Sequence, residues 1–487
     1  MITWGISANS HDAALAVLKD NDIVFASHSE RYSGKKNDEH LNQKLIKQAL
    51  AWGEPNKCVW YEKPFSKTTR QMLAGQGWRK RENNPRAYLK RYAIDYPVQT
   101  VSHHRSHASG GYYTSPFTEA TVICIDAIGE WQTLSIWEGE GNDLYDIYSQ
   151  NYPHSIGLWY SAMTQRIGLK PNEDEYILMG MAAYGDPIRL FDTILRDFFK
   201  PVNQNSPKIK LRHNLHRGCQ WWRPDLSTEQ DVYDIAAATQ AVYEYILKII
   251  SNYARSISAT GNLVLTGGCA LNCSANSKIA SDWDNVWIMP NPGDAGNALG
   301  AILADREDFV NWNSPFLGYE IPREYPVNNL ILELETAGIA GVANGRAEYG
   351  PRALGNRSLL ADPRGNDIKD RVNEIKKRQK FRPFAPAILQ EHAKDYFDGE
   401  VGPYMQFTAR CKYPELYPAI THKDGTSRVQ TVSKNDNPGF RQLLEAWYEK
   451  TGCPMLLNTS LNIKGKPMVN TEKDARDFEK HYGVRVW

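Results

Sequence analysis

A succession of strand, polar loop, strand, tight turn and strand occurs twice in this chain, and no other feature restricts its fold as strongly. Residues 2–28 read as ITWGI, SANSH, DAALAVL, KDND and IVFASH; residues 121–148 repeat the order as TVICI, DAIGE, WQTLSIWE, GEGND and LYDIY. Apolar runs bounded by Gly, Asn and Asp are strand and turn signals. A three-stranded meander that recurs with a polar loop after its first strand predicts a duplicated α/β fold. Its two half-sites would face one cleft, and each loop is a place for a phosphate.

The helix expected at 229–257 carries Val232, Ile235, Thr239, Val242, Ile246, Ile249 and Tyr253 at spacings of three and four, the period of a core-facing stripe. NLVLTGGCALNCSANSK follows as strand, double-glycine turn and helix, and VWIMPNPGDAGNALGA as strand, loop and helix start. Glycines at such turns let backbone amides approach a nucleotide. NWNSPFLGYEIPREYPVN, 311–328, is proline-spaced and without period, which predicts a linker. A chain of 487 residues exceeds what one core usually organises. The reading is therefore two domains, 1–318 and 329–487, the second of α+β type.

Lys plus Arg number 57 against 56 for Asp plus Glu, so no global field points to nucleic acid or membrane, and local clusters must carry such a claim. No run of apolar residues is long enough to span a bilayer, and the N-terminus lacks a signal-peptide pattern, which predicts a cytoplasmic protein. Seven scattered cysteines fit reduced thiols, and the isolated pair Cys269 and Cys273 lacks the partners of a zinc site.

In VSHHRSHASG, His103 and His107 stand four apart and share one face of a helix, so they can grip one cation. Asp126, after a strand of the second repeat, and Asp294, in PGDAGNALG, fall at cleft positions and extend the set to two imidazoles and two carboxylates. Such a set suits iron, zinc or manganese; Asp294 could instead only cap a helix. His11 and Asp12 occupy the loop after the first strand, where a histidine can act as a general base or orient a bound group. Arg31, Lys35 and Lys36 follow as anion contacts. GRAEYGPRALGNRSLLADPRG, 345–365, carries four arginines (Arg346, Arg352, Arg357 and Arg364) with Arg371 close behind, four glycines, two prolines, and neither helical nor strand period. Fixed loops bearing guanidinium forks are what bidentate phosphate recognition requires. Lys376, Arg378 and Arg382 add a basic stretch, and Ser460 and Asn462 in NTSLN are small polar groups able to complete an anion pocket.

The 345–365 string, with KKRQKFRPFAPAI, HKDGTSRVQ and LLNTSLNIKGKP, resembles the O-carbamoyltransferases of antibiotic and nodulation-factor biosynthesis, of the tobramycin carbamoyltransferase type. SHDAALAV, HHRSHASGGYYTSPF, GGCALNC and PGDAGNALGA extend the resemblance over nearly the whole chain. It implies a first domain similar to the tRNA threonylcarbamoyl transferases, within the actin and sugar-kinase-like ATPases, and a second similar to YrdC-like domains. The second would make carbamoyl-AMP from carbamoyl phosphate and ATP. The first, holding one divalent metal, iron by resemblance, would transfer the carbamoyl group to a hydroxyl. By motif, His103, His107, Asp126 and Asp294 are the implied metal ligands. Lys376, Arg378, Arg382, Ser460 and Asn462 bind the donor and nucleotide, Gly267, Gly268 and Asn272 lie near adenosine, and His11, Lys36 and Arg352 are catalytic. A non-catalytic nucleotide- and metal-binding regulator, or a plain sugar kinase, are the readings of another class.

The acceptor is open. Residues 63–92 hold nine basic residues against one acid, Glu82, with Trp78, Tyr88 and Tyr92 interleaved, and PKIKLRHNLHRGCQWWRP, 207–224, is a second basic-aromatic cluster. Both are elements of a nucleic-acid surface. The leading acceptor is therefore 5-hydroxymethylcytosine, or a related hydroxymethylpyrimidine, in DNA. A small natural product or sugar hydroxyl is the alternative.

Overall fold

The computed structural model describes residues 1–365 and 367–487. Its chain forms two compact units, one of residues 1–9, 14–23 and 53–312 and the other of 10–13, 24–52 and 313–487.

The repeat of the sequence is a repeat of topology. In the first unit β1 (Ile2–Ser7) pairs antiparallel with β2 (Ala14–Lys19) and parallel with β4 (Lys57–Trp60), which β5 (Val98–Thr100) extends in parallel. At the other edge lies β3 (Asp22–His28), in which the chain passes from one unit into the other, giving the order β3-β2-β1-β4-β5. The second half repeats this as β8-β7-β6-β9-β10, with β6 (Glu119–Ile125), β7 (Gln132–Glu140), β8 (Asp143–Asn151), β9 (Asn262–Thr266) and β10 (Asn285–Trp287). Antiparallel and parallel neighbours recur at the same places. The long helix spans Glu229–Ile257, opened by a capping box of Thr228 and Asp231, and its apolar stripe is buried.

The second unit is built on a mixed sheet ordered β12-β14-β20-β15-β19. Before it comes β11 (Phe316–Ile321), which pairs antiparallel with β13 (Gly345–Glu348). The sheet strands are β12 (Ile339–Ala343), β14 (Arg357–Ala361), β15 (Ala385–Leu389), β19 (Gln430–Val432) and β20 (Met455–Ser460). Three short strands, β16 (Phe397–Asp398), β17 (Ala409–Cys411) and β18 (Thr426–Ser427), form a separate sheet.

Two expectations need correction. The stretch 311–328 is not a structureless linker, because it contains β11; a register shift between Phe316 and Glu320 breaks the alternation that would have revealed it. The arginine-rich stretch likewise contains the whole of β13 and β14, too short and too buried to alternate. Segments 10–13 and 24–52 join the second unit through specific contacts. Arg31 Nη2 donates to Gly350 O (2.9 Å), Arg346 Nη2 to Val24 O (2.6 Å), and His28 meets the Tyr349 ring edge-on at 5.7 Å. No described helix is long and apolar enough to cross a membrane, and all seven cysteines are free thiols.

Candidate metal centre and anion site

The helix His103–Tyr112 starts at the first ligand and carries the second one turn later. Its N-cap Ser102 makes no side-chain cap; Glu130 Oε1 instead accepts from the His103 amide at 3.2 Å. His103 Nε2 and His107 Nε2 lie 3.1 Å apart. Asp126, at the end of β6, places Oδ2 3.1 Å from His103 Nε2, and Asp294 places Oδ1 3.4 Å from both imidazole nitrogens. One ligand atom from each of the four falls within 4.8 Å of every other. Both histidines and Asp126 are buried.

Burial opposes charge here, but the pairing outweighs it. Against burial, Asp294 and Asp126 hold the His103 imidazolium well above the usual histidine range. Burial likewise pushes Asp294 up, yet His103 and His107 hold it well below the carboxylate range. Asp294 Oδ1 is buried without a hydrogen bond while facing two ring nitrogens. A nitrogen–oxygen set converging on one point, with an orphaned carboxylate oxygen, fits a divalent cation, and its donors suit iron, zinc or manganese alike.

Asp126 also reaches the double-glycine turn: its Oδ1 accepts from Gly268 N at 3.3 Å. Gly267 has φ 87°, and a Cβ there would stand 2.2 Å from Ile125 O, so only glycine brings the turn this close. Asn272 caps the helix Cys273–Ala280 and exchanges hydrogen bonds with Gln240. Gln240 in turn accepts from Tyr160 and donates to Glu244. Sequence reasoning missed this network; its signal was Gln240 and Glu244, four apart and so on one face of the long helix.

The second unit gathers the anion-binding candidates. Lys376, 4 % exposed, points Nζ at Ser460 O and Oγ and at Asn462 O and Oδ1, the last three at 3.0–3.2 Å. Burial first, then Arg378 and Arg382, hold its ammonium well below the usual lysine range. Arg378 stacks on Phe384 (4.0 Å) and donates to Asn373 Oδ1 at 2.6 Å.

The arginine-rich stretch, by contrast, is mostly scaffold. Arg357 is fully buried and donates to the carbonyls of Tyr319, Asn344, Gly345, Asn356 and Asn470. Arg346 serves the carbonyls of Val24, Leu317 and Gly318 and stacks on Trp52, Arg364 pairs with Asp362, and Arg371 donates to Ala337 O. The expectation that these four bind phosphate is therefore corrected: backbone carbonyls and a neighbouring carboxylate have claimed them. The loop that carries Arg352 is held by Glu348, Asn458 and Gln430. Glu348 Oε1 accepts from the amides of Leu354, Asn356 and Arg357, Asn458 binds Ala353 O, and Gln430 binds Leu354 O.

His11 belongs to the second unit, in segment 10–13, rather than to the first domain expected at 1–318. Its Nδ1 lies 3.1 Å from Asp12 Oδ2, and Asp12 holds φ 52°, a left-handed conformation that Asp and Asn tolerate. Lys36 is tied to both oxygens of Glu30 at 3.0 Å.

One unit thus holds a two-histidine, two-carboxylate cluster, and the other a buried lysine ringed by serine and asparagine oxygens. A family model described as the carbamoyltransferase N-terminus matches residues 58–303, and one described as the carbamoyltransferase C-terminus matches 332–486. The chain belongs to the O-carbamoyltransferase family and is an enzyme that transfers carbamoyl groups, which overturns the regulator and sugar-kinase alternatives. It is 32 % identical to an uncharacterized protein of Synechocystis over 97 % of this chain and 93 % of that one. It is 34 % identical to the nodulation protein NolO of Bradyrhizobium diazoefficiens over 77 % and 75 %, and 28 % identical to the 3'-hydroxymethylcephem-O-carbamoyltransferase of Amycolatopsis lactamdurans over 97 % and 95 %. Among solved structures, full-length HypF in its phosphate- and nucleotide-bound form aligns with a TM-score of 0.37 at 12 % identity, over 63 % of this chain and 46 % of that one.

Proposed function

We propose that the enzyme works in two steps. Carbamoyl phosphate, ATP and water give carbamoyl-AMP, pyrophosphate and phosphate; transfer to an acceptor hydroxyl then gives a carbamate ester and AMP. In this reading the duplicated sheet is an actin and sugar-kinase-like ATPase fold, and residues 329–487 form a YrdC-like activating domain. The observation that carries the reading is the convergence of Lys376, Ser460 and Asn462 on one buried spot beside Arg378 and Arg382. Lys376 and the guanidiniums would hold the donor and nucleotide phosphates, with Arg352 presented by its clamped loop. His11 would take the proton of the acceptor hydroxyl at Nε2, its other nitrogen being held by Asp12. Gly267, Gly268 and Asn272 would flank the adenosine. A divalent cation on His103, His107, Asp126 and Asp294 would supply a Lewis acid for the adenylate phosphate.

The leading acceptor is 5-hydroxymethylcytosine in DNA, supported by the basic segments 63–92 and 207–224. Names such as 3'-hydroxymethylcephem-O-carbamoyltransferase favour a second reading, a small hydroxymethyl compound. Both acceptors present a primary hydroxymethyl group. The test incubates enzyme, ATP and carbamoyl phosphate with each acceptor and measures pyrophosphate and product mass. Pyrophosphate release that depends on carbamoyl phosphate, with one carbamoyl group added to an acceptor and lost in His11→Ala, is the expected result. Absence of carbamoyl-phosphate-dependent pyrophosphate release would end the adenylate reading.

A further inference from the structure

Two segments far apart in sequence, 63–92 and 207–224, meet in the first unit. Gln76 Nε2 and His216 Nε2 lie 2.9 Å apart, and the Arg217 guanidinium stands over Gly75, 3.9 Å from where a Cβ would be. The meeting leaves Arg79, Lys80, Arg81, Arg86 and Arg217 exposed, and none has an ion-pair partner among the described residues. Not every basic residue of the stretch contributes. Lys67 is buried against Glu62, and Arg70 is buried with Nε donating to Glu130 O at 3.1 Å, so these two are structural.

These five cations repel one another, and among the described residues no carboxylate forms an ion pair with any of them, Glu82 being the one acid of 63–92. Beside them Trp78 is 52 % exposed, flanked edge-on by the exposed ring of Phe65 at 6.4 Å. Cations without a carboxylate partner beside an exposed indole match a strand that offers phosphates at intervals and flat bases between them. The surface also adjoins the chemistry. Glu130, whose carbonyl holds Arg70, caps the metal-ligand helix at His103 through its carboxylate. The surface is linked to that helix through Gln76 and Arg70: Arg79 Nε donates to Gln76 O at 3.2 Å, and Arg70 Nη1 to Gln76 Oε1 at 3.4 Å.

We propose that this junction is a docking surface for a single strand of nucleic acid, gripped through its phosphates and stacked on Trp78, whether or not the strand carries a hydroxymethyl base. The inference deepens the reading of DNA as acceptor and rests on it. Neutralising about five phosphates of a single strand gives affinity that falls as roughly the third to fourth power of salt concentration, or a loss on the order of a hundredfold between about 50 and 200 mM.

The test is fluorescence anisotropy of the whole enzyme with a labelled, unmodified strand of about 20 nucleotides, followed through a salt titration. The expected result is salt-dependent binding that weakens at least roughly a hundredfold in the R79E/K80E/R81E variant, and about five- to hundred-fold in Trp78→Ala. Circular dichroism establishes that each variant is folded, and Arg217→Glu, on the other segment, is the second variant should the triple one fail to fold. Wild-type enzyme that binds no strand, or that binds phosphatidylserine vesicles in preference to it, overturns the proposal. If that enzyme still releases pyrophosphate with carbamoyl phosphate and carbamoylates a small hydroxymethyl compound, two-step carbamoyl transfer stands and only the nucleic-acid surface falls.

Discussion

Replacing Arg357 and Arg352 separately by methionine asks which arginines of one stretch hold the fold and which hold the substrate. Arg357 is fully buried and serves five backbone carbonyls. Leaving a buried acceptor unpaired costs about 1–3 kcal/mol. Burial has also lowered the Arg357 pKa from 12.5 to about 10, so removing the charge returns about 3 kcal/mol of desolvation. Some of these carbonyls keep other donors, as Asn356 O keeps the Asn344 amide, so the net loss is taken as about 4 kcal/mol, the middle of the range for breaking a buried charged network. For a unit of this size that lowers Tm by about 8–16 °C. Arg352→Met removes a half-buried side chain from a loop that Glu348, Asn458 and Gln430 still clamp. It is expected to shift Tm far less and to raise KM for carbamoyl phosphate or ATP about 10- to 100-fold, the worth of one charge-assisted hydrogen bond. Thermal melting followed by circular dichroism, and steady-state pyrophosphate release, read the two effects. An Arg357→Met enzyme with wild-type Tm and a raised KM would refute the assignment of this arginine to scaffold.

Three further outcomes follow from the same geometry. Asp294→Ala and His107→Ala should each lower metal content at least roughly tenfold at fixed free metal, measured by plasma mass spectrometry on folded protein. Lys376→Met should abolish carbamoyl-phosphate-dependent pyrophosphate release, and Lys376→Arg should not restore it, because the Ser460 and Asn462 oxygens close around an ammonium. His28 is buried, and burial first, then Arg31, lowers its pKa from 6.5 to about 4. Below pH 6.5 the unfolded chain takes up a proton that the folded chain refuses, so stability falls as pH drops from 6.5 to 4, by about 3 kcal/mol. Urea midpoints across that window should decline, and His28→Gln should flatten the decline.

What was legible in the sequence was whatever is encoded by spacing within one element. His103 and His107 share a helical face by arithmetic, the stripe of Glu229–Ile257 follows from its period, and the twice-written meander gives three neighbouring strands of each five-stranded sheet. Charge counting was less informative, because it registers a guanidinium without its partner. Arg346, Arg357, Arg364 and Arg371 look alike on the page as phosphate ligands, yet the carbonyls that claim Arg357 come from residues as distant as Tyr319 and Asn470. The same blindness inflated the 63–92 cluster, where Lys67 and Arg70 are buried and spoken for. It also concealed the converse at Gln76 and His216, whose meeting turns two separate runs of charge into one surface. The type of a basic residue does not say whether it serves a ligand or the scaffold, because that depends on contacts between residues remote in sequence. His11 follows the same logic: its loop position suggested a base, but only the fold sets Asp12 Oδ2 3.1 Å from its Nδ1, a contact that orients the imidazole.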